Sequence, residues 1–166
     1  IVNYPLATVY LALGANLGDR AANLRRALDA LAPAFAVQAI SPVYETEPAY
    51  VLDQPRFLNM ACRATTGLAP LEVLHELKRI EAELGRLPGI RFGPRLIDLD
   101  LLLYDDLILD TPEFTVPHPR LHERPFVLAP LADIAPDVLH PSLGQTIAAL
   151  RDGLGDTRSL LSHFDL

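Results

Sequence analysis

The stretch Arg91-Phe92-Gly93-Pro94-Arg95-Leu96-Ile97-Asp98-Leu99-Asp100-Leu101-Leu102-Leu103 reads as a loop that becomes a strand. Gly93-Pro94 punctuates its start between two arginines, and only Asp98 and Asp100 interrupt the apolar run that follows. Successive side chains of a strand point to opposite faces, so Asp98 and Asp100 project together while Ile97, Leu99 and Leu101 point the other way. Two ionised carboxylates side by side in apolar surroundings are costly, because like charge and desolvation both oppose ionisation. A hard divalent cation with oxygen ligands relieves that cost. The pattern is read as a magnesium-bearing strand with arginines arriving from the loop before it.

Upstream, Pro70 opens a helix at the position proline prefers. Leu71, Leu74, Leu77, Ile80 and Leu84 make its apolar stripe, Glu72, Glu76, Arg79 and Glu83 its wet face, and Gly85 a natural end. Lys78 and Glu81 lie together on the flank, facing either solvent or a ligand. Gly85 to Gly93 is a Gly/Pro-punctuated loop, either a plain connection or one that closes over a ligand. Phe57 to Thr66 alternates as a strand, with Phe57, Asn59, Ala61 and Arg63 on one face and Leu58, Met60, Cys62 and Ala64 on the other. Asn59 is either a buried amide with partners or a surface residue of an edge strand. Ala36 to Tyr44 forms another strand, broken near Ser41-Pro42, and Glu45 to Pro55 is a polar loop too long for a tight turn. Near the start, Thr8 to Leu13 is a central strand. A Gly14–Asp19 turn follows, and then a helix capped by Asp19 with Leu24, Ala27, Leu28 and Leu31 on its inner face.

Downstream, Leu107 to Leu109 is a short strand, and Thr115 to Arg124 is dense in proline, histidine and arginine. Phe126 to Ala132 and Thr146 to Leu150 are helical. The order β-α-β-β-α-β plus a C-terminal extension is that of an α+β, ferredoxin-like sandwich: an antiparallel sheet with two helices on one face. Residues 1–166 are expected to form a single domain.

Composition narrows the function. Half of the 166 residues are hydrophobic and 21% are charged, as in globular chains. The formal net charge of −7 argues against charge-driven binding of nucleic acid or an anionic membrane. No apolar run approaches the roughly 18 residues of a membrane span, and no secretion signal is evident, so a cytoplasmic location is expected. The chain is expected to act as a monomer. Cys62, the lone cysteine, can form no intrachain disulfide and reads as a small core residue. Lys78 is the only lysine, whereas Arg79, Arg86, Arg91, Arg95, Arg120 and Arg124 crowd one third of the chain. That cluster suits a compact polyanion such as a nucleotide phosphate; scattered surface ion pairs are the plainer reading. Magnesium keeps water and phosphate ligands beside one or two carboxylates, so Asp98 and Asp100 fit a metal–nucleotide complex. His118, beside Thr115 and ahead of Arg120 and Arg124, is either structural or a group that touches phosphate or ribose.

R-F-G-P-R-L-I-D-L-D-L-L closely resembles the signature of the 6-hydroxymethyl-7,8-dihydropterin pyrophosphokinases, a family of folate biosynthesis. The segments L-A-L-G-A-N-L-G-D, S-P-V-Y-E-T-E-P, D-Q-P-R-F-L-N and V-P-H-P-R-L-H-E-R-P-F-V-L-x-P-L resemble it too, in the same order. The resemblance implies the ferredoxin-like fold and transfer of the pyrophosphoryl group of ATP to the hydroxymethyl group of 6-hydroxymethyl-7,8-dihydropterin, releasing AMP. It also implies two magnesium ions, both held by Asp98 and Asp100. ATP is expected on Lys78, Glu81, Arg86, Arg95, Leu101, Thr115, His118 and Arg124, with Arg86, Arg91 and Arg95 as catalytic phosphate ligands. The pterin is expected on Asn59 through hydrogen bonds, on Phe57 and Phe126 through stacking, on Phe92 where some members have tryptophan, and on Thr46 in the pterin-side loop through backbone groups. Two other classes share part of the pattern. A metal-dependent nucleotidyltransferase would attack the α-phosphorus, and a non-catalytic ligand-binding domain would have no use for paired strand carboxylates.

Overall fold

The computed structural model describes residues 5–85 and 95–166. The first strand, β1 (Ala7–Ala15), is apolar and β-branched enough to sit at the centre of the sheet, and it pairs antiparallel on both sides. Helix α1 (Arg20–Leu31) follows the turn, its first N–H groups capped by Asp19, whose carboxylate accepts from Ala22 N at 3.1 Å. The expected single strand over Ala36 to Tyr44 is two, β2 (Ala36–Ile40) and β3 (Val43–Thr46), separated at Ser41-Pro42 and both paired with β4 (Phe57–Thr66). Then come α2 (Pro70–Glu83) and β5 (Asp98–Tyr104). Strands lie in the order β5-β1-β4-β3, with β2 also on β4. Every pairing is antiparallel, as the ferredoxin-like reading requires.

Helices α1 and α2 cover one face. Leu24, Ala27 and Leu31 of α1 and Val73, Leu77 and Ile80 of α2 pack on Val9, Leu11, Leu13, Leu58, Met60, Cys62 and Leu99. The inner stripe of α2 is therefore rotated from the expected one: Val73 is fully buried, whereas Leu71 and Leu74 are only half-buried. The row Leu74, Lys78, Glu81 faces a second environment, described below. Cys62 is a core residue, its thiol pushed up to about 12 by burial.

The C-terminal part covers the opposite face. The short strands β6 (Leu109–Asp110) and β7 (Thr115–Val116) pair with each other, and helices α3 (Pro125–Ile134) and α4 (Ile147–Asp152) follow. Leu128, Leu131, Ile147 and Leu121 form a second core with Tyr10, Ala61, Leu102 and Leu103. Both Leu102 and Leu103 reach this face because the β1–β5 register slips between Tyr10 and Leu11, where Leu101 and Leu103 pair and Leu102 is left over. A last strand, β8 (Leu160–Phe164), absent from the sequence-based reading, pairs with β3 and extends the sheet. Among the described residues no helix is long and apolar enough to cross a membrane.

Candidate active site

Helices α3 and α4 cover only one end of their face of the sheet. At the other end a cavity of about 580 Å³ opens above Ala12 and Gly14 of β1. The register places Gly14 directly between Asp98 of β5 and Asn59 of β4, and Ala12 between Asp100 and Ala61. Asp98 and Asp100 thus share a face, as the alternation requires, while Leu99 and Leu101 belong to the first core and also border the cavity. Small residues between the carboxylates and the amide leave the floor open. At Gly14 any side chain would displace that amide, since a Cβ would stand 2.8 Å from Asn59 Oδ1.

Asn59 is oriented from its other side. Its Nδ2 donates to Thr46 Oγ1 at 2.8 Å, and Thr46 is buried. Thr46 is the last residue of β3, which corrects its expected place in a loop, and its hydroxyl orients the amide. The amide donates towards Thr46 and holds its carbonyl oxygen over Gly14.

The cavity wall from α2 is Leu74, Lys78 and Glu81, spaced to share one helix face. Glu81 is almost fully buried and accepts from the backbone N–H of Leu99 at 3.4 Å, which ties α2 to the carboxylate strand. Lys78 and Glu81 therefore both face the cavity. Opposite them, Thr115 donates through Oγ1 to Asp110 at 3.0 Å, and His118 is anchored by its backbone N–H to the Leu102 carbonyl at 3.0 Å. Nδ1 of His118 accepts from the Arg120 backbone N–H at 3.2 Å, which places the proton of the neutral ring on Nε2. Burial, and then the nearby Arg124 guanidinium, push the imidazole down to about 4.

His118 is accordingly neutral at pH 7. Its folded value lies below the ordinary one near 6.5, so the unfolded chain binds the extra proton between those values. The stability that neutral His118 contributes is present above pH 6.5 and is lost as pH falls through about 4. A histidine-resolved NMR titration is expected to hold the His118 ring neutral to about pH 4. A midpoint near 6.5 would contradict this.

Of the sequence-predicted residues, Thr46, Phe57, Asn59, Lys78, Glu81, Arg95, Asp98, Asp100, Leu101, Thr115, His118, Arg124 and Phe126 all line this one cavity. Arg86, Arg91 and Phe92 lie outside the described residues, as does the expected loop beyond Gly85.

Asn16, which sequence reasoning left in a turn, is a buried hub. Its Oδ1 accepts from Arg95 N at 2.7 Å, and its Nδ2 donates to Gln54 Oε1 at 2.9 Å and to Pro55 O at 3.0 Å. The Arg95 carbonyl in turn accepts from Asn16 N and Leu17 N at 2.9 and 3.2 Å. One amide thereby joins the β1–α1 turn, the β3–β4 loop and the root of β5. Asn16→Ala leaves buried backbone groups without partners and is expected to cost about 2–4 kcal/mol in urea unfolding. Less than about 1 kcal/mol would show the hub to be dispensable. Tyr50, Gln54 and Phe114 also line the cavity without having been assigned to it from sequence, and Arg120, placed from sequence only in the arginine cluster, lines it as well. An aromatic in a Pro-containing polar loop was the available signal for Tyr50.

The donor set suits magnesium. Two half-buried carboxylates share a face above a floor without side-chain bulk, beside arginines that suit phosphate. Among the described residues no group of three or more His, Cys, Asp or Glu side chains is placed to hold a metal.

The antiparallel sheet, with helices on both faces and a polar cavity at one end of it, defines an α+β fold that is also seen in solved HPPK-DHPS structures. The Plasmodium falciparum HPPK-DHPS wild type with pteroate superposes with a TM-score of 0.71 at 18% identity, over 89% of this chain and 42% of that one. Residues 10–136 match the family model described as 7,8-dihydro-6-hydroxymethylpterin-pyrophosphokinase (HPPK), and the chain belongs to that family. It is 52% identical over 127 residues to the mitochondrial folate synthesis bifunctional protein of Pisum sativum, covering 76% of this chain but only 25% of that protein. It is 46% identical over 135 residues to the 2-amino-4-hydroxy-6-hydroxymethyldihydropteridine pyrophosphokinase of Pseudomonas aeruginosa, covering 80% of this chain and 83% of that one.

Proposed function

We propose that this chain transfers the pyrophosphoryl group of ATP to the hydroxymethyl oxygen of 6-hydroxymethyl-7,8-dihydropterin, giving AMP and the pterin diphosphate. The observation that carries the reading is the row Asp98–Gly14–Asn59, which aligns a carboxylate and an oriented amide across an open floor within one cavity.

Asn59 presents hydrogen-bonding groups to the edge of a flat heteroaromatic, and Phe57 and Phe126 supply π faces for its rings. Lys78, Glu81, Leu101, Thr115 and neutral His118 line the nucleotide end; the Nε2–H of His118 donates and adds no positive charge. Arg95 and Arg124 neutralise phosphate oxygens, as would Arg86 and Arg91 by family resemblance. Asp98 and Asp100 would hold two magnesium ions, which, when bound, offset the charge of the triphosphate and ease loss of the hydroxyl proton. The attack is in line on the β-phosphorus, and the chain's contribution is position and charge, with no side chain needed as an obligatory general base.

Incubation with ATP, magnesium and the dihydropterin tests this by phosphorus NMR. AMP and a pterin diphosphate are the expected products. Release of inorganic pyrophosphate would point to a nucleotidyltransferase and overturn the reading.

A further inference from the structure

Tyr50 belongs to the loop between β3 and β4, and it is 38% exposed for so large an aromatic. It does not lie idle on the surface. The Arg120 guanidinium stands 4.5 Å from its ring centroid and the Arg124 guanidinium 5.4 Å. Arg124 Nε also donates to the Tyr50 hydroxyl at 3.0 Å. Beyond Tyr50 lies a second, more open groove of about 470 Å³. Ala49, Tyr50, Arg120, Arg124 and Phe126 line both spaces, so they form the wall between them.

Two guanidinium groups gathered on one ring repel each other. The π face of Tyr50 offsets that repulsion, as do Glu123, which accepts from Arg120 Nε at 2.6 Å, and the Phe126 ring, 5.7 Å from the Arg124 guanidinium. Each arginine is engaged through Nε. The Nη1–Nη2 edge, which forks onto phosphate oxygens, is the edge these bonds do not use. A planar group held through Nε and a ring face keeps one orientation.

We infer that Tyr50 is a positioning residue: it holds Arg124, and with it Arg120, in the orientation that receives the polyphosphate. It thereby couples the loop on the flat-substrate side to the arginines on the nucleotide side. This rests on the function proposed above. The arginines draw their order from the loop, and the loop is held over the cavity by the arginines, so each substrate favours the arrangement the other needs.

The experiment is a double-mutant cycle of Tyr50→Phe and Arg124→Ala, with Tyr50→Ala beside it, read as kcat and KM for both substrates and as ATP affinity by calorimetry. Tyr50→Phe removes the hydroxyl and keeps the ring. It is expected to raise the KM for ATP about 3- to 10-fold at an unchanged unfolding midpoint, and Tyr50→Ala about 10- to 100-fold. In the Arg124→Ala background, Tyr50→Phe is expected to have no further effect, because its partner is gone. An equal fold-loss from Tyr50→Phe in both backgrounds would overturn the inference, as would an unchanged ATP KM in Tyr50→Ala. If the wild type binds ATP yet does not turn over the pterin, the proposed function fails, and the same cycle read on ATP affinity alone still decides the role of Tyr50. Failure of the wild type to bind ATP overturns both.

Discussion

Asp98→Asn and Asp100→Asn are each expected to lower turnover by about 10³-fold, with far-ultraviolet circular dichroism and the unfolding midpoint held at wild-type values. The amide is nearly isosteric with the carboxylate, and each side chain stands on the open floor opposite Gly14 or Ala12, so no core packing changes. What is lost is negative charge where a divalent cation would be held beside a triphosphate, an environment in which a full charge matters far more than in water. The magnesium concentration for half-maximal activity should rise in both variants. Near-normal turnover in either would sink the metal assignment.

Asn59→Ala is expected to raise the KM for the pterin about 100-fold and to leave ATP affinity within about twofold. The same split is expected of Gly14→Ala, which removes nothing. Its added methyl would stand 2.8 Å from Asn59 Oδ1 and force the amide off the Thr46 hydroxyl. Agreement between a variant that deletes the amide and one that displaces it separates orientation from mere presence. Calorimetry that shows equal weakening of both substrates would count against the assignment.

The core elements were legible in the sequence because their patterns are local. The alternation in β4 and in the first four residues of β5 places each residue on the face it occupies, and the Asp19 cap and Pro70 start mark where the helices begin. The partial misreading of α2 has a physical cause. Its residues meet two environments, a dry core at Val73, Leu77 and Ile80 and a polar cavity at Leu74, Lys78 and Glu81, so the leucines alone do not define one stripe. Leu102 and Leu103 defeat a strict two-residue period because the register slips beside them. Strand β8 carries a mixed, largely exposed sequence whose main reason to be extended is the free edge of β3. Residue type alone pointed to the cavity at Asp98 and Asp100, whereas Asn59 and His118, open to a structural reading, were assigned by the family resemblance. Residues were missed where the role is to hold something distant: Asn16 bonds to a backbone 79 residues away, and no local pattern encodes that.

The Asp98–Gly14–Asn59 row also makes the sheet a ruler. Neighbouring strands lie about 4.8 Å apart, so the carboxylate strand and the amide strand are separated by roughly 9.6 Å through the central strand between them. That distance is set by backbone hydrogen bonds on both sides of β1. It cannot be retuned by exchanging one side chain for another. A molecule that engages both ends at once must match it, with a hydrogen-bonding edge at one end and a reactive oxygen at the other. For the activity proposed here, size selection would thereby be written into strand spacing.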